Sequence, residues 1–175
     1  MNALPDPLYP ELENLGAATA FIGDIFEVIE HIPLFGDFSY AEIERLCDYM
    51  DCYGAPAGAQ LLQEGAEGDY LLLILTGAVE VFKADPNGER KVIATVGPGN
   101  TIGEMSLIDG HERHASCVTV EPTDFAVLRR NALNALLALE PMLGARLLLV
   151  LLGEMTRRLR EANERLLPFI SANGI

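Results

Sequence analysis

Positive charge is scarce in this chain. Its 12 lysine and arginine residues face 26 aspartate and glutamate residues, which gives a formal net charge of −14 at pH 7. Such a charge repels a phosphodiester backbone unless basic residues gather on one face. The composition therefore predicts a protein that does not bind nucleic acid.

Cysteine is also scarce, with three residues, Cys47, Cys52 and Cys117. Their number is odd and their spacing is unlike that of zinc sites, so we interpret them as buried or incidental thiols. Reduced thiols are typical of a reducing compartment, which predicts a cytoplasmic location.

Long hydrophobic runs and leader signals are missing as well. The most apolar run, Leu147 to Leu152, is far shorter than the roughly 20 residues of a membrane-spanning helix. Residues 1–13 contain no lysine or arginine, so no secretory leader is expected. Half of the 175 residues are hydrophobic, and no internal repeat occurs. These features predict one folded domain that neither spans nor binds a membrane.

Glycine divides the chain, since ten of the 16 glycines fall between Gly54 and Gly110. Apolar residues recur at helical spacing before this part and after it, so the expected order is helices, sheet, helix. Ser39 and Glu42 form a capping box at the start of a short helix, which Pro33 separates from an earlier one. The apolar positions of the two helices are Phe21, Ile22, Ile25, Phe26, Ile29 and Ile32, then Ile43, Leu46, Cys47 and Met50.

Short apolar runs alternate with turn residues between Gly54 and Leu128, which predicts an antiparallel sandwich or barrel. Asp85 to Gly88 and Gly97 to Asn100 are predicted to be tight turns. The predicted strands are Leu71 to Leu75, Val79 to Phe82, Val92 to Val96, Cys117 to Val120 and Phe125 to Leu128.

A long helix is predicted near the C terminus, and Pro168 is expected to fray or end it. Its apolar residues alternate steps of four and three, as in a coiled-coil seam. This pattern favours a homodimer, and the alternative is a helix that packs one face on its own sheet. The seam residues are Leu148, Leu152, Met155, Leu159, Ala162, Leu166 and Phe169.

The segment Gly103 to Ser116 contains the parts of an anion site. Amides of Met105, Ser106 and Leu107 would be free at the start of a short helix. Arg113 could donate two charge-assisted hydrogen bonds to phosphate.

Glu104 could accept hydrogen bonds from sugar hydroxyls. A structural ion pair between Glu104 and Arg113 is the alternative from composition alone. His111 and His114 with Glu104 or Asp109 would be the ligands of a metal site, although the His-x-His pair typical of cupin enzymes is absent.

The same segment resembles the phosphate-binding cassette of cyclic nucleotide-binding domains, whose pattern is Gly-Glu, a hydrophobic residue, a small residue, Leu, then Arg-x-Ala-Ser/Thr. Residues 33–35, 57–65 and 73–81 resemble that family in the same order, and the resemblance covers roughly residues 25 to 165.

The resemblance implies an α+β, mainly β fold: a double-stranded β-helix, or jelly-roll barrel, flanked by N-terminal helices and a long C-terminal helix. It implies that Arg113 and the amides near Met105 and Ser106 bind the cyclic phosphate, and that Glu104 binds the ribose 2′-hydroxyl. The remaining implied site residues are Val81 and Ile102 around the purine and ribose, Gly103, His114 and Ala115 of the cassette, and Asn163 at the purine.

Two positions depart from the family pattern. Glu112 replaces a proline, and His114 replaces a small or hydroxyl residue that packs against the phosphate or a guanine amine. We expect cyclic AMP to be preferred, with cyclic GMP or a cyclic dinucleotide as other candidates. A solvated helix position is the alternative role for Asn163.

The expected function is a non-catalytic cyclic nucleotide receptor that acts as a homodimer and signals to an unidentified protein partner. Only residues 168–175 follow the seam, so no DNA-reading helix-turn-helix is expected. Arg157, Arg158, Arg160 and Arg165 alternate with glutamates and are interpreted as surface charge. The expected divisions are an extension 1–24, a barrel with flanking helices 25–140, a helix 141–169 and a tail 170–175. A ligand-free scaffold and a metal-dependent cupin-like enzyme are the alternative functions.

Overall fold

The structure is a computed structural model that describes residues 9–30 and 38–172. The strands of this part are β1 (Glu13–Ala17), β2 (Met50–Ala55), β3 (Gln60–Leu62), β4 (Tyr70–Ile74), β5 (Val79–Ala84), β6 (Arg90–Val96), β7 (Thr101–Ile102), β8 (Ser116–Thr119) and β9 (Thr123–Arg129). The helices are α1 (Ile22–Glu30), α2 (Tyr40–Cys47), α3 (Glu104–Asp109), α4 (Arg130–Leu139) and α5 (Pro141–Ala172), and one 3-10 turn lies at Ala18–Phe21.

The strands form two antiparallel sheets. One has the order β1-β2-β9-β4-β7 and the other the order β3-β8-β5-β6. This is the expected jelly-roll arrangement of a mainly β protein with flanking helices. The two sheets are not closed into a barrel, so that part of the prediction is wrong. The edge strands are β1 and β7 in the larger sheet and β3 and β6 in the smaller one. Among the described residues, no strand of one sheet pairs with a strand of the other.

The five-stranded sheet separates two hydrophobic cores because its side chains alternate between its faces. Leu72 and Val127 point into the core between the sheets, together with Val79 and Cys117 of the smaller sheet. Leu71 and Leu128 point to the other side, where the helices cover them. The sheet therefore holds the sandwich on one face and the helices on the other.

All five predicted strands and both predicted turns are present. Asp85 accepts the Gly88 amide at 2.8 Å in the first turn, and Gly97 accepts the Asn100 amide at 3.3 Å in the second. The sequence did not predict β1, β2, β3 or β7. β1 pairs with β2 through Glu13 and Gly54, so part of the expected N-terminal extension belongs to the sheet.

The capping box of the second helix is confirmed. The Glu42 amide donates to the Ser39 hydroxyl, and the Ser39 amide donates to the Glu42 carboxylate at 2.8 Å. Met50 was wrongly placed on this helix, because it begins β2 and pairs with Leu128. The expected positions Ile32 and Pro33 lie outside the described residues.

Helix α5 continues through Pro168, contrary to the prediction that proline ends it. The proline ring fixes φ near the helical value, and the cost is the lost bond to the carbonyl four residues earlier. Residues 161–168 are exposed, so water can hydrate that carbonyl. None of the described helices combines the length and the hydropathy needed to cross a bilayer.

The two sides of α5 differ in burial. Leu143, Leu147 and Leu151 are buried against the helical core. The other side carries an exposed stripe of Leu149, Leu152, Leu159 and Leu166, which are 66%, 57%, 62% and 54% exposed. Leu148, predicted to lie on the seam, packs partly on the core, and Leu149 lies on the exposed stripe instead.

Candidate functional site

The segment between β7 and β8 folds back on itself around a short helix. Gly103 precedes α3 with φ of +84° and Gly110 follows it with φ of +75°, a left-handed region that favours glycine. A Cβ atom on Gly103 would lie 2.6 Å from Nη1 of Arg113 and 3.1 Å from the Tyr70 carbonyl oxygen. Glycine is therefore required there for both conformation and space.

Arg113 is enclosed beneath α3. Its residue exposure is 4%, and Nη1 donates to the Gly103 carbonyl at 2.9 Å. Its Cζ lies 4.3 Å from the centroid of the Tyr70 ring. A Cβ atom on Gly68 would lie 2.2 Å from Arg113 Nε, so a second glycine makes room for the guanidinium.

The Arg113 guanidinium has unused hydrogen-bonding capacity. Nη2 is buried and has no hydrogen-bond partner, and no acidic side chain of the described chain forms an ion pair with Arg113. Burial of an unpaired cation is costly, so such groups usually have an anionic partner. Arg113 therefore offers an unused donor to an anion near the first turn of α3, where the Met105 and Ser106 amides precede the first bond within the helix. The Leu107 amide, which was also expected to be free, donates to the Gly103 carbonyl at 3.3 Å.

Glu104, at the start of α3, is also buried, with 4% exposure. Its carboxylate accepts a hydrogen bond from Arg158 of α5, and the other terminal nitrogen of Arg158 donates to the Thr101 carbonyl at 2.6 Å. Burial raises the pKa of Glu104, and the positive charge of Arg158 partly opposes this rise. The carboxylate that the sequence assigned to ribose is thus tied to the C-terminal helix.

These contacts contradict two interpretations of the sequence. The hypothetical ion pair between Glu104 and Arg113 is not formed, because Arg158 takes its place. The interpretation of Arg158 as surface charge is wrong, whereas Arg157 does pair along the helix surface with Glu154 and Glu161.

The sequence contained a signal for the position of Arg158, whose side chain is partly buried, with 31% exposure. The residue lies seven positions after Leu151 and eleven after Leu147, which continues the buried side of α5 by whole helical turns.

The other cassette residues lie around Arg113 at different depths. Ser106 is 2% exposed and its hydroxyl donates to the Glu112 carbonyl at 3.4 Å, whereas Met105 is 45% exposed. Ile102 is buried in the core between the sheets, and Val81 packs partly against that core.

The remaining expected residues lie nearer the surface. Ala115 is half-buried, and His114 and Asn163 are exposed. No three His, Cys, Asp or Glu residues of the described ranges are grouped as a metal site would need.

A solved structure with a similar fold comes from Methylobacillus flagellatus and is described as a cyclic nucleotide-binding domain. It is 54% identical, covers 94% of this chain and 92% of its own, and superposes with a TM-score of 0.85. The chain belongs to the cyclic nucleotide-binding domain family. The family model described as "Cyclic nucleotide-binding domain" matches residues 55–140.

Relatives of this cyclic nucleotide-binding domain include two named regulatory proteins. The cyclic AMP receptor protein of Thermus thermophilus is 35% identical over 75% of this chain. The regulatory subunit of cAMP-dependent protein kinase of Aspergillus fumigatus is 33% identical over 62% of this chain. The chain spans 59% of the first relative's length and 26% of the second's.

Proposed function

We propose that this domain is a receptor for a cyclic nucleotide, with cyclic AMP preferred. Buried Arg113, with no ion pair among the described residues and with Nη2 unpartnered, is the observation that carries the proposal. Arg113 and the amides of Met105 and Ser106 would bind the cyclic phosphate, with Gly103 allowing close approach. The names of both relatives, which refer to cyclic AMP, support this choice.

Glu104 is proposed to bind the ribose 2′-hydroxyl. Its carboxylate has oxygen lone pairs beyond those used by Arg158, so a sugar hydroxyl can join the same group. Val81, Ile102 and Ala115 would form the walls of the nucleoside pocket, and His114 would lie at its open side. The absence of a hydroxyl at position 114 removes one donor or acceptor for guanine, which supports adenine over guanine.

The exposed stripe of α5 is proposed to pair with that of a second copy. Thr156 and Asn163 lie seven and fourteen residues after Leu149, which places them on the same face. A polar residue at such a position fixes the register of a coiled coil at a cost in stability, and this stripe contains two. Asn163 would then lie between the helices, where it can also reach a purine bound at the interface.

The proposed domain divisions are 1–24, 25–140, 141–169 and 170–175, with β1 of the first segment paired into the sheet of the second. We further propose that the receptor resides in the cytoplasm and signals, as a dimer, to a protein partner and not to DNA or a membrane. The net charge of −14 and the three free cysteines support this part.

A ligand-free scaffold is the second candidate. The observation that favours it is the ion pair between Glu104 and Arg158, which occupies one oxygen of the carboxylate that the receptor would use to bind the ribose.

Calorimetric titration with cyclic AMP and cyclic GMP separates the two functions. The receptor predicts saturable heat with cyclic AMP and weaker binding of cyclic GMP. An Arg113→Met variant, as folded as the wild type by circular dichroism, should bind at least about tenfold more weakly because a charged hydrogen bond contributes about 1.5–3 kcal/mol. No heat and no thermal shift at millimolar ligand would contradict the receptor function and favour the scaffold.

A further inference from the structure

Aromatic contacts link the N-terminal segment to the candidate anion site. The Tyr70 ring lies against the Arg113 guanidinium, and Tyr9 packs on Tyr70 edge to face, with ring centroids 6.0 Å apart and planes at 82°. The hydroxyl oxygens of Tyr9 and Tyr70 are 3.3 Å apart, within hydrogen-bonding distance. One side chain therefore separates Tyr9 from the guanidinium.

Tyr9 is itself firmly held. It is 5% exposed, and its hydroxyl donates to the Leu61 carbonyl at 2.8 Å. Its ring makes edge-to-face contacts with Tyr53 and Phe125, each with centroids 5.6 Å apart. Burial raises the pKa of Tyr9, so its hydroxyl stays protonated and keeps this bond. A side chain fixed on these sides restrains the Tyr70 ring that it touches.

The Tyr70 ring suits the requirements of Arg113. A carboxylate partner would hold the guanidinium but would also compete with a bound phosphate for it. An aromatic face attracts the cation without neutralising its charge, and it leaves Nη2 without a competing acceptor. Together with the Gly103 carbonyl, which accepts Nη1, the ring orients Arg113 without neutralising it.

We propose that Tyr70 and Tyr9 are positioning residues for Arg113, with Tyr70 aligning the guanidinium toward the phosphate and Tyr9 fixing Tyr70. The proposal rests on the proposed cyclic nucleotide function. It also assigns a part in ligand binding to Tyr9, which precedes the family match at residues 55–140.

Calorimetry with cyclic AMP tests the role of Tyr70. Tyr70→Leu removes the aromatic face and should weaken binding roughly three- to thirty-fold, the range of a cation–π contact, whereas Tyr70→Phe keeps the ring and should stay within about twofold. Val127→Ala is the matched control, because it opens a cavity in the same core and leaves the Tyr70 ring on Arg113 in place. Equal affinity losses in Val127→Ala and Tyr70→Leu would show that Tyr70 is merely structural and would overturn the proposal.

A double-mutant cycle tests the role of Tyr9. Tyr9→Leu should weaken cyclic AMP binding in the wild-type background and have no further effect in Tyr70→Leu, since Tyr9 acts through Tyr70. Additive losses in the two backgrounds would contradict that order of action.

A spectroscopic measurement makes the two proposals separable. In arginine-labelled protein, the Hε resonance of Arg113 should be shifted by the ring current of Tyr70 and should return toward an ordinary position in Tyr70→Leu but not in Tyr70→Phe. If the wild type shows this shift but binds no cyclic nucleotide, the proposed function is wrong and the ligand role of both tyrosines falls with it. If the wild type binds cyclic AMP and Tyr70→Leu binds it equally well, the positioning proposal alone is wrong.

Discussion

At the scale of single residues, the site combines an unpaired cation with a paired anion. Arg113 is held by a carbonyl and an aromatic ring, and Glu104 is held by Arg158. Both charged groups are nearly inaccessible to water. When the partner of such a buried charge is removed, the free energy of unfolding falls strongly, since water cannot replace the lost contact.

Removal of Arg158 should therefore make stability more dependent on pH. The pKa of Glu104 is raised by burial above its ordinary value of 4.5, so the folded state loses stability as pH rises from 4.5 through the folded-state pKa. Arg158→Leu removes the opposing charge and should enlarge this loss, to about 1–3 kcal/mol at neutral pH.

Urea titrations of the wild type and Arg158→Leu from pH 4 to pH 8 would measure the free energy of unfolding of both proteins. The two values should lie closest at the acidic end and diverge as pH rises. Arg160→Leu removes an exposed arginine of the same helix and should show no such divergence. A constant difference between wild type and Arg158→Leu would refute the electrostatic account.

Sequence reasoning found the residues of the cassette but not their partners. Glu104 and Arg113 stand in a recognisable local pattern, and their chemical types indicate anion binding. Their contacts with Arg158 and Tyr70 depend on how α5 and β4 pack around the cassette. Such contacts join residues 54 and 43 positions apart, and local spacing does not encode them.

At the scale of elements, the strands that were not predicted are those that depend on long-range pairing and show little local pattern. β7 has two residues and β3 has three, too few for a periodic pattern. β2 contains Asp51 and Gly54, which are poor strand formers, yet it pairs with β9 along its whole length. The capping box of α2 was predictable because Ser39 and Glu42 contact each other within one turn.

The exposed stripe of α5 predicts the behaviour of the helix in solution. Leu159 is 62% exposed at the middle of the stripe, and a charge there would be buried in the proposed dimer. Leu159→Asp should convert the protein to a monomer, as measured by sedimentation velocity. Arg165→Asp, which introduces the same side chain outside the stripe, should leave the dimer intact. A monomeric wild type would contradict the pairing, as would a dimeric Leu159→Asp.

At the scale of the whole molecule, acidic charge dominates. On the surface of α5, Arg157 pairs with two glutamates, Glu154 and Glu161. With a net charge of −14, the nonspecific attraction on which duplex binding depends is replaced by repulsion.

We therefore expect no binding of random-sequence duplex DNA at about 0.15 M salt, where the Debye length is about 8 Å. Fluorescence anisotropy of a labelled duplex would test this, with and without saturating cyclic AMP. A salt-dependent rise in anisotropy below about 10 μM protein would contradict this expectation.

The position of β2 in the larger sheet has a practical consequence. The family match begins at residue 55, where β2 ends, so a fragment of residues 55–140 would lack both β1 and nearly all of β2. In that fragment β9 would become an unprotected edge, and Phe125 would lose the stacked Tyr53 ring. Such edges pair with other chains. Recombinant work confined to the matched segment would therefore be expected to yield aggregates, even though it retains every residue of the cassette.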